Sequence, residues 1–366
     1  MSILNSVRKE IFSIEYYKAG KVVKVANKKK VKLSSNENSL GTSTLALKAI
    51  KSFLKKGLNI YPDSKMLDLK GSISQFLFSN GLEVGSKNLI LGDGSGEVIN
   101  MIFTIFLDKE SILILPEKSF ILYYIHSKSK GSKIVEVERK NFEIDLGKIL
   151  EKINLIEGKK IVLFANPDNP SSAFIEKDRL KSFLKKIDSN IPVIIDEAYI
   201  HFAGIKNSCI DLIKEFENLI IIHTFSKAYG LAGLRVGYGV MSEKLAKEVE
   251  KIRLPFNLGT LQQIGAIAAL RDQRFLKETL SYVEEGKKYL MKELEKLSIR
   301  YLKPHANFIF VDFGERAKEI LAFLEKKGIT IRHLTDFGYS ENYVRITIGL
   351  PWENKFLIKN LKEFFA

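Results

Sequence analysis

The sequence predicts an α/β protein: a large domain with a mostly parallel sheet covered by helices on both faces, followed by a smaller C-terminal α+β domain. Three observations lead there. Short, continuous apolar runs alternate with amphipathic stretches through the middle of the chain, the pattern of strands buried on both faces. Polar clusters stand where four of those runs end. Beyond about Lys244 the alternation gives way to long helical stretches and then to a second group of strands.

In chain order, strands are expected at 88–91, 111–115, 133–137, 160–165, 192–195, 219–223 and 235–241, separated by helical segments such as 98–107 and 177–187. A helix over 243–252 leads through Leu254-Pro255-Phe256-Asn257 into further helices. Strands follow at 308–312, 329–332 and 343–348. The expected division is an N-terminal arm over 1–35, a large domain over 36–248 and a small domain over 249–366. At 366 residues the chain exceeds what one compact core usually holds, which agrees with two domains.

Composition narrows the class. With 45% hydrophobic and 28% charged residues, the chain is an ordinary globular sequence and not a disordered one. The single cysteine, Cys209, excludes an intrachain disulfide framework and a thiolate metal cluster, and fits a reducing cytoplasm. The opening MSILNSVRKEIF lacks a long apolar core before a small-residue site, so no secretory signal is expected. The apolar runs are too short to span a bilayer. The net charge of +15 invites a nucleic-acid reading. The lysines, however, are scattered through helical stretches and mixed with acids, and only Lys28-Lys29-Lys30 forms a run. A solvated surface and a taste for small anions both suit this pattern.

In open parallel sheets, ligands sit outside the carboxyl ends of the strands, and the unusual residues fall there. Gly92-Asp93-Gly94-Ser95-Gly96 offers free backbone N–H groups at a helix start, which suits a phosphate, although an ordinary turn reads the same way. Asp196, in VIIDEAY, ends a buried strand; alone it reads as a helix cap or a local ion pair, and otherwise as a carboxylate facing a protonated ring nitrogen. Two prolines bracket Asp168-Asn169 and fix where the Asn169 amide points, or simply stiffen a loop. Lys227 follows the apolar run 219–222, between Ser226 and a glycine-rich stretch ending in Arg235. An amine that is to form a Schiff base must spend time deprotonated. Together the clusters supply an anion cradle (Gly94–Gly96, Ser226, Arg235), an acid for a ring nitrogen (Asp196), donors to a phenolic oxygen (Asn169, Tyr199) and an amine for an aldehyde (Lys227). Those are the needs of pyridoxal 5′-phosphate.

The combination LSSNENSLGTS (33–43), YPD (61–63), GDGSGEVI (92–99), NPDNP (166–170), DEAY (196–199) and HTFSKAYGLAGLRVGY (223–238) resembles fold-type-I pyridoxal-phosphate aminotransferases, and most of all their histidinol-phosphate aminotransferase branch. The resemblance runs from about Tyr17 to beyond Arg345. It implies that Lys227 is the Schiff-base lysine, that Asp196 keeps the pyridine nitrogen protonated, and that Asn169 and Tyr199 hold the phenolate oxygen. Phe120, otherwise a core aromatic, would stack on the ring. Ser95, Gly96, Ser226 and Arg235, joined by Thr224, would bind the phosphate. Tyr61 would reach that phosphate from a neighbouring subunit, which implies a homodimer with shared active sites.

For substrate, the resemblance points to Tyr17, Asn36, Asn257, Arg332 and Arg345. Arginine is the residue type that clamps carboxylate or phosphate with a planar fork. Two departures stand out. Ser39 replaces the family's usual proline after NEN, and Asn169-Pro170 continues as Ser171-Ser172 where the family has NPTG. The expected activity is amino transfer between glutamate and a phosphorylated small carbonyl compound, in the cytoplasm, with neither metal, nucleic acid nor membrane as partner. The alternatives are a decarboxylase of an O-phospho amino acid using the same cofactor residues, and a transcriptional regulator. The regulator would need a DNA-binding module, and only about thirty residues precede Leu33.

Overall fold

A computed structural model describes residues 3–16 and 30–366. The strands are β1 (Val31–Leu33), β2 (Leu89–Asp93), β3 (Ile112–Pro116), β4 (Lys133–Val137), β5 (Lys160–Ala165), β6 (Val193–Asp196), β7 (Leu219–Thr224), β8 (Val236–Val240), β9 (Arg300–Tyr301), β10 (Phe308–Asp312), β11 (Ile329–His333) and β12 (Tyr343–Thr347). Seven of them form a sheet in the order β2-β8-β7-β6-β5-β3-β4. All neighbours are parallel except those of β8, which runs antiparallel to both β2 and β7. Successive side chains of the central strands feed two separate cores. Ile194, Ile220 and Ile222 pack on one face with Val98, Ile102 and Phe103, while Ile195 and Ile221 pack on the other with Leu180 and Phe183. That is why these strands read as unbroken apolar runs.

The first four long helices are α1 (Thr44–Leu54), α2 (Leu67–Ser79), α3 (Gly94–Phe106) and α4 (Ile121–Lys130). α3 leaves the end of β2 directly, with Asp93 at its N-cap. Its start therefore lies level with the carboxyl ends of β5, β6 and β7.

The second sheet has the order β1-β11-β12-β10-β9, antiparallel except for β1 against β11. Here the expected boundaries need correction. Residues 31–33, assigned to an arm, are a strand of the small sheet, with Val31 opposite Ile329 and Leu33 opposite Ile331. Three residues are too few to show a period, and their partner lies far along the chain. The expected division at 248/249 also departs from the packing. Helix Thr260–Arg271 packs on α1 and α2, and Leu258, Ala266, Ala269 and Leu270 belong to the large core. Helix Gln273–Lys296 then serves both domains, giving Leu276 to the large core and Val283, Leu290 and Leu294 to the small one. A continuous helix carries no Pro, Gly or composition signal where it passes from one core to the other.

The loop after β5 is held by a buried ion pair. Arg139 grips both oxygens of Asp168, at 3.0 and 3.1 Å, with the two side chains 3% and 1% exposed. Burial opposes the charge on Arg139, yet the facing carboxylate more than offsets it and holds the guanidinium above its ordinary pKa. Removing one member of such a pair strands the other in a dry setting. Arg139→Ala is expected to lower the unfolding free energy by about 3 kcal/mol or more, measured by urea titration of the apoprotein.

Candidate active site

A cavity of about 260 Å³ lies between the two sheets. Residues 34–37, the starts of α3 and α4, the ends of β5, β6 and β7, and strands β11 and β12 all contribute to its wall.

One end of the cavity is built for an anion. Gly94 opens α3 with φ +72°, and a Cβ there would fall 2.2 Å from Nη2 of Arg235. The guanidinium therefore packs directly on the glycine. Arg235 has φ +54° itself and donates from Nη1 to Ser226 Oγ (3.3 Å) and to Ala232 O (3.2 Å). Thr224 Oγ1 accepts from Ser226 N (3.1 Å) and donates to Ser226 Oγ (3.0 Å), which fixes that hydroxyl. Gly237 lets β8 close on the helix start, since a Cβ would lie 2.3 Å from Ser95 N. Ser95 and Gly96 line the cavity at the positive end of α3, where backbone N–H groups lack intrahelical partners.

Asp196 also lines the cavity; its Oδ2 accepts from Tyr123 Oη (2.8 Å) and its Oδ1 accepts from Ala198 N (3.0 Å). Burial lifts its carboxyl above the ordinary carboxylate range, although the Tyr123 hydroxyl and the Ala198 amide pull it back in part. The adjacent Glu197 turns away, to His223 Nε2 (2.8 Å), Cys209 N (2.8 Å) and the Ser208 hydroxyl, and takes no part in the cavity.

Lys227 lines the same cavity; its Nζ donates to Ser35 O (3.4 Å) and lies 5.6 Å from the centre of the Tyr199 ring. Tyr199 Oη accepts from Asn36 Nδ2 (3.0 Å). Arg345 donates from Nη1 to Asn169 Oδ1 (2.6 Å) and from Nη2 to Ser34 O (3.0 Å), packed between the rings of Phe308 and Phe337. With Oδ1 taken by Arg345, the donor end of the Asn169 amide is left for the cavity that Asn169 lines. Arg332 stands opposite Arg345 in the β11/β12 register and pairs with Asp336 at 2.9 Å. Phe120 lines the cavity from the N-cap of α4, edge-on to Tyr123.

Residues 28–358 match the model of the family "Aminotransferase class I and II". The chain belongs to that family. It is 35% identical to histidinol-phosphate aminotransferase 1 of Bacillus cereus over 98% of its length and 96% of that protein. It is also 35% identical to the histidinol-phosphate aminotransferase of Caldicellulosiruptor saccharolyticus, over 97% and 99%. Among solved structures, the histidinol-phosphate aminotransferase of Clostridium acetobutylicum superposes with a TM-score of 0.83 at 29% identity, covering 91% of this chain and 98% of that one. The Sinorhizobium meliloti protein, solved with pyridoxal 5′-phosphate, gives 0.87 at 24% identity over 99% and 98%, a likeness of fold.

This aminotransferase uses pyridoxal 5′-phosphate, and the donor set fits it. Ser95, Gly96, Ser226 and Arg235, with Thr224 behind Ser226, suit the phosphate. The buried Asp196 suits a protonated ring nitrogen, Asn169 and Tyr199 the phenolate oxygen, and Lys227 the aldehyde. Two expected site residues, Tyr61 and Asn257, are not in the wall of this cavity. Tyr17 falls outside the described residues. Tyr61 is 78% exposed and stacks on Phe256 at 4.5 Å, away from its own chain's cavity. Asn257 also falls outside the wall, because its amide is committed to structure: it donates to Leu91 O (3.1 Å) and Glu97 Oε2 (2.8 Å) and accepts from Arg253 (2.9 Å). Conversely, Tyr123, Ser35, Ala198 and Phe337 line the cavity without having been singled out. Ser35 and Ala198 lie inside the motifs at 33–43 and 196–199, and Tyr123 stands one helical turn after Phe120.

Gly94→Ala is expected to displace Arg235 and raise the cofactor's Kd about tenfold or more, read by absorbance titration of the apoprotein. Gly71→Ala, with open space at the added Cβ, leaves it unchanged. The raised carboxyl of Asp196 has a signed consequence. Its favourable contribution to apoprotein stability is present below the unfolded-state value, about 3.9, and is lost as pH rises through the higher folded value. Thermal melting of apo Asp196→Asn should therefore lack the decline with rising pH that the parent shows in that window.

Proposed function

We propose that this enzyme moves an amino group between glutamate and a phosphorylated small carbonyl compound of the histidinol-phosphate type. The observation carrying the reading is a second cationic site. Arg235 belongs to the cofactor's anion cradle, yet Arg332 and Arg345 line the same cavity from the small sheet. A substrate bearing a phosphate or a carboxylate suits that pair, and so does glutamate, so the two half-reactions can share one clamp. The names of the curated relatives point the same way and give the decarboxylase alternative no support.

Bound pyridoxal 5′-phosphate supplies an electron sink for the charge left on the substrate Cα. The protein does the rest. Lys227 Nζ removes the Cα proton of the amino donor and, in the opposite half-reaction, delivers a proton to Cα of the acceptor, with Tyr199 beside it. Asp196 holds the ring-nitrogen proton, while Arg345 orients the substrate anion and keeps Asn169 turned toward the cofactor's edge. In this reading the exposed Tyr61 completes the phosphate site of a second copy, and the enzyme works as a cytoplasmic homodimer.

Glutamate added to holoenzyme should convert the lysine-bound cofactor absorbance to that of the pyridoxamine form, and histidinol phosphate should do the same. Lys227→Ala should abolish the first band and lower turnover by about a thousandfold or more, whereas Arg345→Ala should act mainly through KM, by about a hundredfold. Mixing Lys227→Ala with Tyr61→Ala subunits should restore activity in hybrids. No conversion with either amine, together with carbon dioxide release from phosphoserine or phosphothreonine, would replace this reading with the decarboxylase.

A further inference from the structure

Ser172 is fully buried and holds φ +64°, a left-handed conformation that glycine adopts at least cost. Its N–H donates to Asp168 O (2.9 Å), inside the turn that Arg139 and Ser171 anchor through the Asp168 carboxylate. Its hydroxyl leaves the large domain altogether. Oγ accepts from His305 N and Ala306 N, both at 2.8 Å. Those two amides lie just before β10, with only Asn307 between.

β10 pairs with β12, Phe308 opposite Thr347 and Phe310 opposite Arg345. Asn307 then donates to Asn36 O (3.1 Å), and Asn36 N donates to Thr347 Oγ1 (2.9 Å). The loop carrying Asn169 is thus joined to the small sheet twice, by Ser172 at the root of β10 and by Arg345 on the neighbouring strand. One hydroxyl satisfying two backbone donors is a rigid joint, because both amides converge on a single oxygen.

We propose that Ser172 is a positioning residue that fixes the small sheet against the cofactor loop, and thereby sets where Arg345 meets the substrate's anionic group. It touches neither substrate nor cofactor and acts through β10 and β12. The inference rests on the reading of Arg345 as the substrate clamp.

The test compares Ser172→Ala, which keeps the left-handed backbone requirement, with Ser172→Gly, which relaxes it. Both remove the acceptor, and the Phe174–His305 ring contact, 5.5 Å between centres, remains to hold the fold. Hydrogen exchange of the holoenzyme should be faster at 305–306 in both variants. KM for the phosphorylated amine should rise about tenfold, with kcat changed less than about threefold. Unchanged exchange at 305–306, or equal losses in kcat and kcat/KM, would overturn the proposal. So would a Ser172→Gly enzyme with parental KM, since backbone geometry alone would then account for the position. If parent and variants all ignore the phosphorylated amine, the substrate reading fails instead; the same KM comparison is then made with glutamate, and the exchange result still decides the joint.

Discussion

Burying the Asp196 carboxylate is the constraint around which the site is arranged. A charge at the end of a central strand has neighbouring strands on both sides and little water to solvate it. Two donors, the Tyr123 hydroxyl and the Ala198 amide, meet it, and its carboxyl still sits above the ordinary range. A protonated pyridine nitrogen in the cavity would supply further compensation. Its neighbour Glu197 has no such need, because His223, Ser208 and Cys209 answer it on the far side of the strand. Two consecutive acids differ in chemistry because a strand sends consecutive side chains to opposite faces.

The anions meet the protein in two mechanically different places. The anion cradle is assembled within the large domain, where Gly94 and Gly237 allow a guanidinium and a strand to touch the first turn of α3. Arg332 and Arg345 are carried on the other sheet, and Arg345 reaches the large domain through Asn169. On the proposed reading, the cofactor phosphate meets the large domain, with Tyr61 of a second copy, while the substrate anion meets the junction of two domains. On that reading, substrate affinity depends on how the sheets are docked, while the phosphate cradle is left as it is.

Much of this was legible in the sequence, and the exceptions share a cause. The seven strands of the large sheet lie within a residue or two of their expected places, because most of the runs are apolar and buried on both faces; the edge strand β4, KIVEV, is the more exposed exception. β1 and β9 escaped notice because three and two residues cannot show a period, and their partners are distant in sequence. The passage from one core to the other inside helix Gln273–Lys296 escaped because a helix facing two cores keeps the same apolar spacing throughout. Asn257 looked like a substrate residue by motif, yet its amide braces the start of α3 through Glu97 and Leu91. A side chain's type shows what it can bond, and only its neighbours show whether that capacity is already used.

By itself the sequence determined the chemistry of this protein: an amine, an acid, an amide and an anion cradle at the ends of apolar strands, in an order that specifies the cofactor. Local patterning suffices there, since parallel strands packed on both faces bring their carboxyl ends to one edge wherever the chain runs between them. The tertiary structure decided which residues hold those groups in place. Tyr123 under Asp196, Ser35 beside Lys227 and Ser172 against residues 305–306 are contacts between segments far apart in sequence. Their partners are chosen by how the two sheets dock, a matter of packing that leaves no period or motif in the chain.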